Sequence, residues 1–237
     1  MSFTQRCGNF FFKYRNGLFP GVFAVLFLVS RPPAAGNFPR DFFAMALGIL
    51  LVLAGQGFRL AVIGYAYIKR GGKEGRVYAD DLVTRGFYAH SRNPMYVGNF
   101  AVVLGICILY GSPWAYFFVL PFFAFAYESI TVAEETYLRE RFGAEYEAYR
   151  RRVNRFWPNL QGMRESLKEF EYDWKRALRK DYGNIFQNFS AALFVLAWKC
   201  WAGPRAVVFY GVLPAAALLA AFYSWARVLK KSGRLSS

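Results

Sequence analysis

The sequence predicts an all-α, polytopic membrane protein. Hydrophobic residues make up 56% of the 237 residues and aromatic residues 20%, which is more than a soluble domain of this length normally carries. The hydrophobic residues fall in nearly charge-free windows, and basic residues are concentrated in alternate gaps between those windows. Because a helix needs about 20 residues to cross about 30 Å of hydrocarbon, the windows predict transmembrane helices.

About six transmembrane helices are expected. The nearly charge-free windows are residues 16–30, 42–68, 93–127, 182–198 and 206–226. The third window is long enough for two spans, and Gly111, Ser112 and Pro113 divide it into a tight helical hairpin. The first window is short and contains Pro20, so a re-entrant or interfacial segment is the alternative there. A cleaved signal peptide is not expected, because the stretch before Ser30 lacks a small-x-small cleavage pattern.

The distribution of charge predicts the topology. The net charge of +15 comes from basic residues before the first span, after the last span, and in the long loops that follow the second and fourth spans. By the positive-inside rule, both termini and both long loops are cytoplasmic, and the protein is expected in a bacterial inner membrane. The basic charge then reflects topology and attraction to anionic lipids, so the bilayer is an expected partner and nucleic acid is not.

The two long loops differ in their predicted structure. The first is glycine-rich and is expected to be irregular. The second is expected to begin at Glu134 as an amphipathic helix that ends at Pro158. A further amphipathic helix carries Leu167 and Trp174, and it lies either in the headgroup layer or against the ends of the spans. We expect one membrane domain, residues 1–237, with a core at 42–158 and a C-terminal amphipathic helix and helical hairpin at 159–237.

Cysteine and histidine are too sparse for a metal site. Cys7, Cys107 and Cys200 are scattered without CxxC spacing, and His90 is the sole histidine. Neither a metal centre nor a disulfide framework is expected.

Two polar patches flank the hairpin of the third and fourth spans. The first patch is residues 80–98 and the second is residues 133–138. Helices joined by a short turn are antiparallel neighbours, so the start of the third span and the end of the fourth should meet at one membrane depth. The sequence therefore predicts a pocket that faces the cytoplasm and is built from both patches.

The residue types in these patches suit a cationic sulfonium donor that carries an adenosine and an amino-acid group. Glu134 or Glu135 can accept hydrogen bonds from an ammonium or from ribose hydroxyls. The rings of Tyr88 and Tyr96 can stack on adenine or face the sulfonium, and Arg92 can pair with a carboxylate.

The start of the third span has its own signals. Pro94 is favoured in the first turn of a helix, and Asn93 is expected as its N-cap, which leaves nearby amides for a ligand.

These residues form a two-part pattern with a resemblance to a known family. The pattern runs Gly86-x-Tyr88-x-x-x-Arg92-Asn93-Pro94-x-Tyr96-x-Gly98 and then, after the hairpin, Glu134-Glu135-x-x-Leu138-x-x-x-Phe142-Gly143. It resembles the core signature of the isoprenylcysteine carboxyl methyltransferase and phospholipid methyltransferase superfamily, in a bacterial-type form. The resemblance covers about residues 73–158. It implies an integral-membrane methyltransferase that uses S-adenosylmethionine and acts on the carboxyl, amine or thiol of a lipid-like or small hydrophobic acceptor.

The resemblance also implies a role for three groups of residues. The loop that holds the adenine would comprise Lys73, Asp80, Asp81, Leu82 and Val83. The rest of the donor pocket would comprise Tyr88, Asn93, Pro94, Tyr96 and Glu134. The candidate catalytic residues are Arg92, Glu134 and Glu135.

Two positions depart from the family pattern. Asn93 stands where a histidine is common. Ile130 stands where the prenylcysteine enzymes carry an arginine that meets the substrate carboxylate. Ile130 therefore leaves the acceptor open among a prenyl thioether acid, an amine headgroup, a phenol and a small hydrophobic thiol.

Three residue assignments have structural alternatives. His90 and Arg59 are candidate substrate-binding residues, but His90 can instead serve only in hydrogen bonding, and Arg59 can snorkel to the headgroups rather than act at depth. Glu134 and Glu135 can be first-turn acids that the helix dipole stabilises.

Two other function classes stay open. One is an NADPH-dependent membrane reductase of the sterol type, whose core resembles this chain in the Arg-x-Pro-x-Tyr region but usually carries more spans. The other is a non-catalytic lipid-binding relative that has kept the fold.

Overall fold

A computed structural model describes residues 1–34, 40–65, 79, 81–168, 170–201 and 207–235. Lys73 and Asp80, two residues expected in the adenine loop, lie outside the described residues.

The described chain is helical, as predicted. Its helices are α1 (Phe3–Val29), α2 (Arg40–Tyr65), α3 (Pro94–Tyr110), α4 (Leu120–Arg152), α5 (Met163–Lys168), α6 (Trp174–Trp201) and α7 (Leu213–Lys231). A 3-10 turn at Gly86–Ala89 precedes α3, and π-helical turns at Ala115–Val119 and Val208–Val212 lead into α4 and α7.

Three helices in the described part of the chain are long and apolar enough to cross a membrane. They are Asp41–Tyr65, Ala115–Arg152 and Val208–Lys231, and the apolar helix Pro94–Tyr110 is shorter. The expected count of about six spans is therefore not confirmed. Helices α1 and α6 are long enough, but their first halves carry charged side chains such as Lys13, Arg15, Lys175 and Asp181, which lower their hydropathy.

Two expected helix boundaries are wrong. No helix begins at Glu134, because α4 continues from the fourth predicted span to Arg152, with one non-helical residue at Gly143 (φ 50°, ψ −121°). The amphipathic segment around Trp174 is likewise continuous with the fifth predicted span in α6, while Leu167 belongs to the separate helix α5. In both places the polarity of the sequence changes without a helix-breaking residue, and an existing helix extends at little cost.

Helices α2 and α3 pack with their backbones in close approach. A Cβ atom on Gly55 would lie 2.7 Å from the carbonyl oxygen of Gly98, and a Cβ on Gly105 would lie 2.7 Å from the carbonyl oxygen of Gly48. Glycines in register on two helices allow this approach. The contact places Arg59, one turn after Gly55, against α3.

The other helices surround this pair. The α3–α4 hairpin turns at Gly111, whose φ of 70° is the left-handed conformation that ends α3. Helix α1 packs on α4 through the rings of Phe19, Phe123 and Tyr127, and α6 lies against α2 and α3. Helices α1, α2, α3, α4 and α6 thereby enclose a cavity.

Candidate active site

The cavity has a volume of about 500 Å³, within the range of small-molecule sites. Its walls include five residues that the sequence singled out: Arg59, Tyr88, Asn93, Tyr96 and Glu134. The two polar patches therefore meet at one pocket, as the hairpin predicts.

Tyr96 and Glu134 join the two halves of the sequence pattern directly. The Tyr96 hydroxyl donates a hydrogen bond of 3.0 Å to Oε1 of Glu134, although the two residues are 38 positions apart. Tyr96 lies in the first turn of α3, and Glu134 lies on α4 with 6% of its surface exposed. The Glu134 carboxylate therefore lies at the cavity wall, where it can accept a hydrogen bond from a ligand or face a positive charge.

Aromatic rings extend this wall. The ring centroids of Tyr96 and Tyr127 are 5.4 Å apart at an interplanar angle of 31°, and both residues line the cavity. Tyr88 is buried, and its carbonyl accepts a hydrogen bond of 2.7 Å from the hydroxyl of Tyr149. Ring faces beside a carboxylate attract a cation by cation–π interaction.

Arg92 and Glu135 form a buried ion pair outside the cavity wall. Nε and Nη2 of Arg92 lie 3.1 and 2.9 Å from Oε1 of Glu135. Nη1 of Arg92 donates to the carbonyls of Arg150 (2.9 Å) and Val153 (2.7 Å) at the end of α4. Charged donors commonly satisfy the last carbonyls of a helix. These contacts tie the segment before α3 to α4, and a catalytic role for Arg92 and Glu135 stays a prediction.

Arg155 completes this ionic cluster. Its Nη2 lies 2.7 Å from Oε2 of Glu135, and its Nη1 pairs with Glu128. Burial alone lowers the pKa of Arg155, but the hydrogen bond and charge of Glu135, with the charge of Glu128, outweigh burial and raise it. The Arg155 guanidinium is thus held in its charged form beside Glu135.

Asn93 precedes α3 at the N-cap position, as expected, but its side chain does not cap the helix. Its Nδ2 and backbone N–H donate instead to the carbonyl of Arg155, at 3.2 and 3.1 Å. Pro94 is the buried first residue of α3.

His90 is held by the segment that follows α4. Its Nδ1 is 2.6 Å from the carbonyl oxygen of Asn159, and its Nε2 is 3.0 Å from the hydroxyl of Ser166. Both ring nitrogens therefore hold the segment from Asn159 to Ser166, and His90 is not among the residues that line the described cavity. Its substrate-binding role stays a prediction.

The described part of the expected adenine loop lies beside the cavity. Asp81 is exposed. Leu82 packs against Tyr146 and Tyr149, and Val83 packs in the cluster that contains Tyr88. Neither residue lines the cavity as described, so their role toward adenine stays a prediction.

Sequence reasoning missed the partner of Arg59. Asp181 on α6, only 1% exposed, accepts hydrogen bonds from Nε of Arg59 (3.1 Å), Nε2 of Gln56 (2.6 Å) and Nδ2 of Asn184 (2.8 Å). Arg59 also contacts Asn99 on α3. Arg59 is thus buried and paired within the bundle and does not snorkel. The available signal was an acidic residue at the edge of a predicted span, which marks a functional or paired site.

Helix α6 turns one polar face toward the cavity. The lining residues of this face recur at helical spacing and are Lys180, Asp181, Asn184, Gln187 and Asn188. Nδ2 of Asn188 donates to Oε1 of Gln56 at 2.8 Å, which links α6 to α2 a second time.

Comparison with known proteins covers the region that forms the cavity wall at Tyr96 and Glu134. Residues 43–145 match the phospholipid methyltransferase family. Over 73 residues the chain is 44% identical to a protein-S-isoprenylcysteine O-methyltransferase of Schizosaccharomyces pombe, and this stretch covers 30% of each protein. No solved structure matches the chain. The matched region contains both halves of the pattern, and over this region the chain is similar to the isoprenylcysteine carboxyl methyltransferase-like superfamily of methyltransferases.

Proposed function

We propose that this protein is an integral-membrane methyltransferase that transfers a methyl group from S-adenosylmethionine to a lipid-like or small hydrophobic acceptor. The observation that carries the proposal is the hydrogen bond between Tyr96 and Glu134 at the wall of a cavity of about 500 Å³. It unites the two parts of the family pattern at one place.

The cavity wall fits this donor. Glu134 supplies a carboxylate for the ammonium or ribose hydroxyls, while the rings of Tyr88, Tyr96 and Tyr127 supply faces for adenine or for a positive sulfur. A volume of about 500 Å³ accommodates a ligand of this size.

The chain's own contribution to the reaction is binding, alignment and exclusion of water. When bound, S-adenosylmethionine would supply a methyl group on a positively charged sulfur: an acceptor lone pair would form the new bond to the methyl carbon while the carbon–sulfur bond breaks and its electrons pass to sulfur. Val103, Ile106 and Phe123 give the cavity an apolar wall, which keeps water from a charged donor. Fixing two reactants in such a site can supply much of the rate without a strong base.

The apolar wall also supports a hydrophobic acceptor. Phe19 and Phe23 of α1 line the cavity with Phe123 of α4, and together they suit a hydrocarbon chain. We place the donor on the cytoplasmic side of a bacterial inner membrane, with both termini on that side, because the loops that precede α3 and follow α4 are strongly basic. The division into a core at 42–158 and a C-terminal part at 159–237 belongs to this proposal.

Isothermal titration calorimetry of the full chain in detergent tests the proposal. We expect binding of S-adenosylmethionine and of its demethylated product, and a loss of about tenfold or more in affinity for Glu134→Gln and Tyr96→Phe, because each removes a hydrogen bond to a charged group. Glu140→Gln is the matched control, since Glu140 lies on α4 but is exposed.

Two results would reject the proposal. Binding of NADPH without binding of S-adenosylmethionine would favour the reductase alternative. Donor binding without transfer of labelled methyl groups into any component of a membrane lipid extract would favour the non-catalytic relative.

A further inference from the structure

The polar face of α6 lies outside the region that matches the family. The family match ends at residue 145, while Asn184, Gln187 and Asn188 line the cavity from α6. One side of the cavity is therefore built by residues that the family pattern does not specify.

The amides of this face retain hydrogen-bonding capacity toward the cavity. Asn184 and Gln187 are exposed. Asn184 gives one amide hydrogen to Asp181, and the side chain of Gln187 makes no hydrogen bond with another described residue. An amide has two donors and an acceptor with two lone pairs. On a helix predicted to cross the bilayer, polar side chains usually face a cavity or a polar partner, so a ligand with hydrogen-bonding groups fits here.

Arg15 adds positive charge to the same cavity. It lies half-buried on α1, and its guanidinium carbon is 4.3 Å from the ring centroid of Phe12. Among the described residues no carboxylate pairs with Arg15, whereas Asp181 already balances Arg59. A half-buried arginine without a partner favours an anion.

The gap between α1 and α6 is closed by aromatic contacts at one end. The ring of Phe27 is 5.2 Å from that of Phe194 and 4.9 Å from that of Trp198. Nearer to the start of both helices, α1 and α6 each contribute side chains to the cavity wall. An elongated ligand can lie in this gap, with its polar end at Arg15 and its apolar end beside Phe23.

We propose that Arg15, Asn184 and Gln187 bind the headgroup of an anionic amphiphile, whose hydrocarbon tail lies along Phe19 and Phe23. This inference rests on the proposed function, in which the amphiphile is the methyl acceptor. In this arrangement side chains of α1 and α6 bind the acceptor, and Tyr96 and Glu134 bind the donor.

Binding of dodecyl phosphate to the full chain in dodecyl maltoside micelles tests this subsite. We expect saturable binding by calorimetry. The affinity for dodecyl phosphate should fall about tenfold in Arg15→Gln and in the double variant Asn184→Leu/Gln187→Leu, because each variant loses a charged or polar contact. Lys13→Gln removes the same charge from an exposed position on α1 and should change the affinity by less than about twofold. Dodecylamine should not compete.

Three outcomes would overturn the inference. An equal loss for Lys13→Gln and Arg15→Gln would show attraction to the basic surface only. Equal competition by dodecylamine would show that the site does not distinguish an anionic from a cationic headgroup. Unchanged affinity for dodecyl phosphate in the double variant would show that α6 does not contribute to the subsite.

The affinity for S-adenosylmethionine, measured on the same samples, separates this inference from the proposed function. Donor affinity that is retained in Arg15→Gln and in the double variant supports separate subsites. Absence of donor binding together with Arg15-dependent binding of dodecyl phosphate would reject the methyltransferase and keep an amphiphile site.

Discussion

Asp181 on α6 and Arg59 on α2 form an ion pair inside the helical bundle, with 1% and 7% of their side-chain surfaces exposed. They lie 122 residues apart in sequence. The pair connects the helix that follows the family-matched region to the helix that opens it, and it forms part of the cavity wall.

We expect Asp181→Ala to destabilise the protein by about 3–5 kcal/mol, because it leaves the buried Arg59 charge without a carboxylate partner. Thermal unfolding in detergent measures the change. The double variant Arg59→Met/Asp181→Leu should recover most of the stability, since apolar residues can replace a buried pair. An unfolding curve for Asp181→Ala that overlays the parent would contradict this account.

Gly55→Ala should weaken the packing of α2 on α3. The added Cβ would lie 2.7 Å from the carbonyl oxygen of Gly98 and 2.9 Å from Val102, so the helices must separate, at a cost of about 1–3 kcal/mol. Gly57→Ala is the control on the same helix, because a Cβ there meets nothing within 4 Å and alanine favours the helix by about 1 kcal/mol. Denaturant unfolding should show a lower free energy of unfolding for Gly55→Ala and a higher one for Gly57→Ala. Equal destabilisation by both variants would show that the contact between α2 and α3 is not the cause.

Arg92→Ala should loosen the segment that follows α4. It removes one of the two arginines that pair with Glu135 and the side-chain donor to the carbonyls of Arg150 and Val153. Limited trypsin digestion should then cleave near residues 150–155 several times faster than in the parent, because cleavage follows local opening. Arg139→Ala is the matched control. Arg139 pairs with Glu147 at the surface, where an ion pair contributes about 0–1 kcal/mol, and an equal acceleration there would reject a special role for Arg92.

An arginine at position 130, which the resemblance to the prenylcysteine enzymes leads us to expect there, should destabilise this protein. Ile130 is fully buried in a cluster with Phe11, Phe12 and Ala126. Ile130→Arg would bury a charge beside aromatic rings, and we expect a loss of more than about 3 kcal/mol in stability. Ile130→Leu keeps the volume and should cost less than about 1.5 kcal/mol. Thermal unfolding compares the two. Ile130 also lines the cavity, so a stable Ile130→Arg protein would show that water or an anion in the cavity compensates the added charge.

The approach of the two polar patches was largely predictable from the sequence. Gly111 and Pro113 mark the turn of a hairpin, and a hairpin brings the start of α3 close to the part of α4 that contains Glu134. The pattern that contains Tyr96 and Glu134 also carries the resemblance to the methyltransferase superfamily. These signals are local, because turn chemistry and helical spacing depend on neighbouring residues.

The sequence by itself thus determined an all-helical chain and the α3–α4 hairpin, which brings the two polar patches together. Only the tertiary structure decided that Asp181 holds Arg59, that Glu135 is engaged by Arg92 and Arg155, and that α6 supplies the polar side of the cavity. Each of these contacts joins residues from separate helices or loops. Their partners are selected by how the helices pack, and helical spacing along one segment carries no information about which distant helix lies opposite.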